Sequence, residues 1–145
     1  MKMVSACLAG KNVRYDGSSK KVEYAENMVR RSEAIAICPE MKGGLPVPRE
    51  QCEIVGGTGD DVLNGKAKVM TAKGEDVTAQ FIEGANETLK LAQQWAVHRV
   101  IFCRKSPSCG CGKIFDGTFT GTLREGDGVT TALLKRHGIE VAREG

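Results

Sequence analysis

No run of 18 apolar residues occurs in the chain, so no membrane-spanning helix is expected. The opening segment, Met1-Lys2-Met3-Val4-Ser5-Ala6-Cys7, has one lysine and a short apolar run, too little for a secretory signal. The expected location is the cytoplasm. Charge of one sign is also scarce: 21 basic and 18 acidic residues leave a net +3, without the basic excess that marks a nucleic-acid binder. Neither a nucleic-acid polymer nor a membrane is expected as a partner; a small anionic ligand stays open. Repeats and low-complexity segments are absent, and 145 residues point to one domain, 1–145. A chain of this length buries roughly two-thirds of its unfolded surface, so it needs neither disulfides nor metal merely to fold.

Apolar runs of strand length are present. Lys2–Ala6, Ala34–Ile37, Val100–Cys103 and Ile139–Val141 are near-continuously apolar, as strands covered on both faces of a parallel sheet are. Between them lie helix-compatible segments at 24–33, 79–95 and 129–137. Phe81, Ile82, Ala85, Leu89 and Ala92 form an apolar face at helical period, with Thr78 as the expected N-cap and Gly138 as the C′ residue of the last helix. Residues 39–65 carry three of the four prolines and read as a long functional loop. Residues 66–75 suggest a small β excursion. The alternation predicts an α/β fold, Rossmann-like, with a mostly parallel sheet and flanking helices.

Six cysteines in a reducing compartment need another explanation than a disulfide framework. Parallel α/β sheets bind ligands at the carboxyl ends of their strands. Cys7 follows the first strand, Cys38 the second, and Cys109 lies in the loop after the third, so all three arrive at one edge. Thiolates hold zinc or iron–sulfur clusters. A structural zinc site usually needs two close ligand pairs, and only Cys109-x-Cys111 is close. His98 and His137 sit at a strand start and a helix end, away from that edge. Cys103, inside an apolar strand, is expected to be a core thiol. Cys52 stays ambiguous, and Cys111 is an alternative ligand or resolving thiol.

Other groups gather near the same edge. Glu40, two residues past Cys38, is a candidate general acid or base. Ser106 and Ser108 flank Pro107 and can hydrogen-bond a substrate. Arg14 and Lys20 can meet an anion, and Asp16 can accept from a ring nitrogen or hydroxyl. Gly43-Gly44 and Gly110 suggest close backbone approach to a bulky ligand. Gly126-Asp127-Gly128 before a helix is a weak anion signal, lacking a Walker lysine or a full dinucleotide fingerprint.

Several stretches in fixed order resemble the thiouracil desulfidase family. They are Val4-Ser5-Ala6-Cys7-Leu8 with Val13-Arg14-Tyr15-Asp16-Gly17; Cys38-Pro39-Glu40 with Gly43-Gly44-Leu45-Pro46 and Pro48-Arg49; Gly74-Glu75-Asp76-Val77-Thr78 with Phe81 and Gly84-Ala85; and Ser106-Pro107-Ser108-Cys109-Gly110 with Asp116-Gly117-Thr118-Phe119. The resemblance implies a [4Fe–4S] cluster on Cys7, Cys38 and Cys109, with one iron left for the substrate's sulfur. It implies desulfuration of a small thiolated substrate, thiouracil or a related thiopyrimidine or thionucleoside, without net redox change. It maps the acid/base glutamate onto Glu40 and the active-site serine onto Ser106, with Ser108 nearby. Two other functions remain open at this stage: a cluster-free thiol or persulfide enzyme using Cys109 and Cys111, and a non-catalytic metal-binding module.

Overall fold

The computed structural model describes residues 1–144. Four parallel strands make the central sheet: β1 (Lys2–Ser5), β2 (Ala34–Ile37), β5 (Arg99–Phe102) and β8 (Glu140–Arg143), in the order β2-β1-β5-β8. Each apolar run expected as a strand is one. Period-two alternation divides their side chains between two cores. Met3, Ile37, Val100 and Phe102 face α4 (Thr78–Gln94) and α5 (Val129–Arg136), while Val4 and Ala34 face α1 (Glu23–Arg30). The α/β class with a parallel sheet between helices is therefore observed as expected.

Boundaries shift for local reasons. Helix α4 begins at Thr78 rather than after it, because Asp76 Oδ1 accepts from the Thr78 N–H at 2.9 Å. The Thr78 hydroxyl instead accepts from Val69 N at 2.9 Å. Gly138, with φ +76°, terminates α5 as expected.

The long loop expected over 39–65 is largely structured. Pro39 occupies the first turn of a short helix, α2 (Pro39–Lys42), where its missing N–H costs nothing. Strand β3 (Cys52–Val55) follows, then α3 (Gly59–Leu63), opened by a Thr58–Asp61 capping box. Strand β4 (Lys68–Thr71) pairs antiparallel with β3, and the chain then turns at Gly74 so that Asp76 bridges antiparallel back to Met70, the small β excursion expected over 66–75. A second hairpin, β6 (Lys113–Phe115) with β7 (Leu123–Glu125), carries no sequence alternation, since β7 is exposed throughout.

Two glycines let α2 seat on α4. A Cβ at Gly84 would lie 2.0 Å from Pro39 O, and one at Gly43 would lie 1.9 Å from Gln80 O. Gly43 thus serves helix packing rather than approach to a bulky ligand. These obstructions are backbone carbonyls and cannot rotate aside. Gly84→Ala should therefore lower the urea midpoint by the equivalent of roughly 1–3 kcal/mol, the usual cost of overpacking, with an unchanged m-value. An unchanged midpoint would show that α2 and α4 are not in this contact.

Candidate active site

One cavity at the carboxyl edge of the sheet collects the thiols. Cys7 lies two residues past β1, Cys38 is the first residue past β2, and Cys109 sits on the loop after β5; all three line the cavity. So does Cys103, the first residue past β5. Cys103 is a correction to the sequence reading: it is half-buried at the cavity wall, not a core thiol. Cys111 points elsewhere, its thiol donating to Val141 O at 3.5 Å, which removes the basis for pairing it with Cys109 as a thiol couple. Cys52 also lines the cavity, with its thiol donating to Glu50 O at 3.4 Å. Burial pushes its pKa up to about 12.

Hydrogen bonds with Cys109 and Cys7 pull Cys103 below the ordinary thiol range. Cys7 is pushed up, first by the Cys103 contact and then by burial; Cys109 is pushed up first by burial and then by the same neighbour. Desolvation raises Cys38. Thiolate ligands must lose their protons to bind a metal, so loading here is favoured at higher pH.

The donor set matches a polynuclear cluster better than a lone ion. All six cysteines are free. Among the described residues, no three His, Cys, Asp or Glu side chains close on a single metal ion. Neither histidine lines the cavity. What the wall offers is soft sulfur from separate strand ends, the ligand type that selects iron–sulfur clusters.

A directed hydrogen-bond chain runs beside the thiols. The Cys109 N–H donates to Ser106 Oγ at 2.7 Å, and Ser106 and Ser108 hydroxyls are 3.3 Å apart. Ser108, fully buried, donates to Glu40 Oε2 at 2.8 Å. A hydroxyl has one proton; with that of Ser108 committed to Glu40, Ser106 must be the donor between the serines. Ser108, not Ser106, is the hydroxyl that touches the carboxylate.

Arg49 holds the other side of Glu40. Its Nε donates to Glu40 Oε1 at 3.0 Å, with both side chains largely buried. Nη2 donates to Val13 O at 3.0 Å and approaches Cys38 Sγ at 3.9 Å. The sequence reading assigned Arg49 no role. The available signal was a lone arginine between prolines and a strand, in the segment just after Glu40. Glu53 was also missed. It is 1% exposed and accepts from Gly117 N and Phe119 N at 2.9 and 3.1 Å, fixing the turn after Phe115, a cavity residue.

Among the remaining expected residues, Arg14 and Lys20 line the cavity. Asp16 does not; it is exposed and accepts from the Ser18 N–H and hydroxyl, which hold its carboxyl below the usual range. Gly126-Asp127-Gly128 receives no anion. The first N–H groups of α5 are spent on Pro107 O and Ser108 O at 2.7–3.2 Å, and the Thr131 hydroxyl donates to Cys109 O at 2.9 Å. A Cβ at Gly128 would lie 2.5 Å from Ser108 O. The helix terminus is the mount of the Ser106–Cys109 loop. Gly110 likewise serves the turn, its Cβ position lying 2.6 Å from Ser106 O.

A family model described as 2-thiouracil desulfurase matches residues 3–145. The uncharacterized protein YbbK of Bacillus subtilis (strain 168) is 49% identical over 144 residues, covering 99% of this chain and 95% of its own. Among solved structures, the [4Fe-4S]-dependent thiouracil desulfidase TudS superposes with a TM-score of 0.87 at 42% identity, over 99% of this chain and 89% of that one.

Proposed function

The chain belongs to the 2-thiouracil desulfurase family, and from that premise we propose that it converts a thiolated pyrimidine to its oxo form and hydrosulfide, using a [4Fe–4S] cluster on Cys7, Cys38 and Cys109. The observation that carries this reading is the carboxylate of Glu40, held by Ser108 and Arg49 on the wall of the cavity that Cys7, Cys38 and Cys109 also line. When bound, the cluster supplies an iron without a protein ligand, a Lewis acid suited to a thiocarbonyl sulfur.

The chain's own residues supply the rest. Water must lose a proton as it attacks the carbon bearing sulfur, and Glu40 is the base within the cavity to take it. Arg49 and Ser108 fix both carboxylate oxygens, so the base is oriented before substrate arrives. Ser106 lines the cavity with its proton directed to Ser108; it orients the substrate and relays a proton through Ser108 to Glu40. Arg14, Lys20 and Arg104 also line the cavity, and among the described residues none has a carboxylate partner within ion-pair distance. Their field suits the anionic product. The balance is thiocarbonyl plus water to carbonyl plus hydrogen sulfide, with no change of oxidation state. Among the described residues, no helix is long and apolar enough to cross a membrane.

The test is anaerobic reconstitution with iron and sulfide, followed by incubation with 2-thiouracil, 4-thiouracil and their nucleosides. The protein should turn brown, with a broad band near about 400 nm, and release hydrosulfide and the oxo product in equal amounts. A brown protein that releases no sulfide from any of these compounds would end the reading.

A further inference from the structure

We propose that Cys103 is a pairing thiol for the cluster ligands: in the cluster-free protein it closes a reversible disulfide with Cys7 or Cys109. The disulfide does not depend on the desulfuration reading, which enters only where Cys7 and Cys109 are named as ligands.

The sheet register sets the geometry. Strands β1 and β5 pair Met3 with Val100 and Val4 with Ile101. Continued two residues, that register sets Cys103 opposite Ala6, one residue from Cys7. Neighbouring strands lie about 4.8 Å apart, and disulfides bridge Cα separations of roughly 4.4–6.8 Å. The Cys103 N–H donates to the buried Ser5 hydroxyl at 2.9 Å, which ties the two strand ends together. Cys103 also packs against both apolar clusters, the one holding Cys7 and the one holding Cys109. Cys7, Cys103 and Cys109 line the same cavity. The Cys38 thiol is turned to the Val13 carbonyl and the Arg49 guanidinium, each at 3.9 Å. Cys103 is thus the shared partner.

The chemistry needs an oxidant, and hydrogen peroxide is the class. One thiolate of the pair attacks a peroxide oxygen; the O–O bond breaks, water leaves and a sulfenic acid forms. The second thiol attacks that sulfur, the S–S bond forms and a second water leaves. Two thiols lose two electrons and the peroxide gains two. A dithiol reverses the bond by exchange. Cys103 is half-buried on the cavity wall, so peroxide has a route to the pair. Without Cys103, a sulfenic acid at Cys7 or Cys109 loses the thiol that the strand register sets beside it. It then advances to sulfinic and sulfonic acid, which dithiols do not reverse, and a ligand is lost.

Trypsin separates the three thiols, placing Cys7 in peptide 3–11, Cys103 in 100–104 and Cys109 in 106–113. Full-length protein freed of cluster by chelator is treated with hydrogen peroxide in several-fold molar excess over thiol, enough to carry an untrapped sulfenic acid to sulfinic or sulfonic acid, then alkylated, digested and mapped by mass spectrometry. Peptide 100–104 should be found cross-linked to 3–11 or 106–113, and a Cys111→Ser background assigns the latter link to Cys109. After dithiothreitol, the wild-type protein should regain nearly its untreated capacity to bind iron. Cys103→Ser and Cys103→Ala should instead show sulfinic or sulfonic acid at Cys7 or Cys109 and recover only a small fraction of that capacity. Peptide 100–104 recovered fully alkylated from oxidised wild-type protein would overturn the proposal. So would equal recovery of iron binding in the Cys103 variants.

Discussion

Cys7→Ala, Cys38→Ala and Cys109→Ala should each lose the cluster, with iron content falling to near background and desulfuration falling with it. The three thiols come from separate segments, each with one cysteine in the proposed ligand set, and Cys103 is the neighbouring thiol whose own variant is the control. Cys111 faces Val141 O, and neither histidine lines the cavity. The contrasting variant is Cys103→Ala. It removes a thiol from the same wall and should keep its iron when reconstituted anaerobically, at a packing cost of about 1–2 kcal/mol. Iron and sulfide analysis of all four proteins decides the matter. A Cys103 variant without iron beside a Cys7 variant with it would reassign the ligand set. Circular dichroism separates cluster loss from misfolding, because the sheet and its two apolar cores are built without metal.

Glu40→Gln should separate chemistry from cluster assembly. Glutamine keeps the size of the side chain, and its carbonyl can accept from Arg49 while its NH2 donates to the Ser108 hydroxyl, but it cannot take a proton from water at neutral pH. The variant should bind normal iron and lose turnover by roughly 10²–10⁴-fold, the usual contribution of a positioned acid or base. The substitution also leaves the buried Arg49 guanidinium without its carboxylate, and breaking a buried pair is costly, about 3–5 kcal/mol in other proteins. Turnover must therefore be measured well below the variant's unfolding midpoint. Glu26 and Glu33, on and just after α1, are the controls; neither lines the cavity. Near-normal turnover in a folded, iron-replete Glu40→Gln protein would remove Glu40 from the mechanism. Loss of iron would make its role structural.

The parts that were legible from sequence are those whose signal is local. Four largely apolar runs alternating with helical segments imply a buried parallel sheet, because strands covered on both faces read that way. Cys7, Cys38 and Cys109 were legible as a group for the same reason. Each follows one of those runs, and a parallel sheet delivers all such positions to one edge. Glu40 was legible through its spacing from Cys38.

What only the tertiary structure decided depends on phase and on long-range contact. Val100-Ile101-Phe102-Cys103 is apolar throughout, so the sequence carries no sign of which side chains face which way. In the fold, Val100 and Phe102 enter the α4–α5 core, and Cys103, just beyond the strand end, is left at the cavity. Arg49 acquires its partner through a loop closing back on Glu40, and Ser108 reaches the same carboxylate from 68 residues away. The glycine pair at 43 and 84 reads as turn and helix residues until α2 and α4 are stacked. The glycines before α5 read as an anion site until the helix terminus is seen to hold the Ser106–Cys109 loop. Local sequence sets hydrophobic period and strand order of appearance; which polar groups meet is set by chain segments that become neighbours only when the sheet and its helices pack.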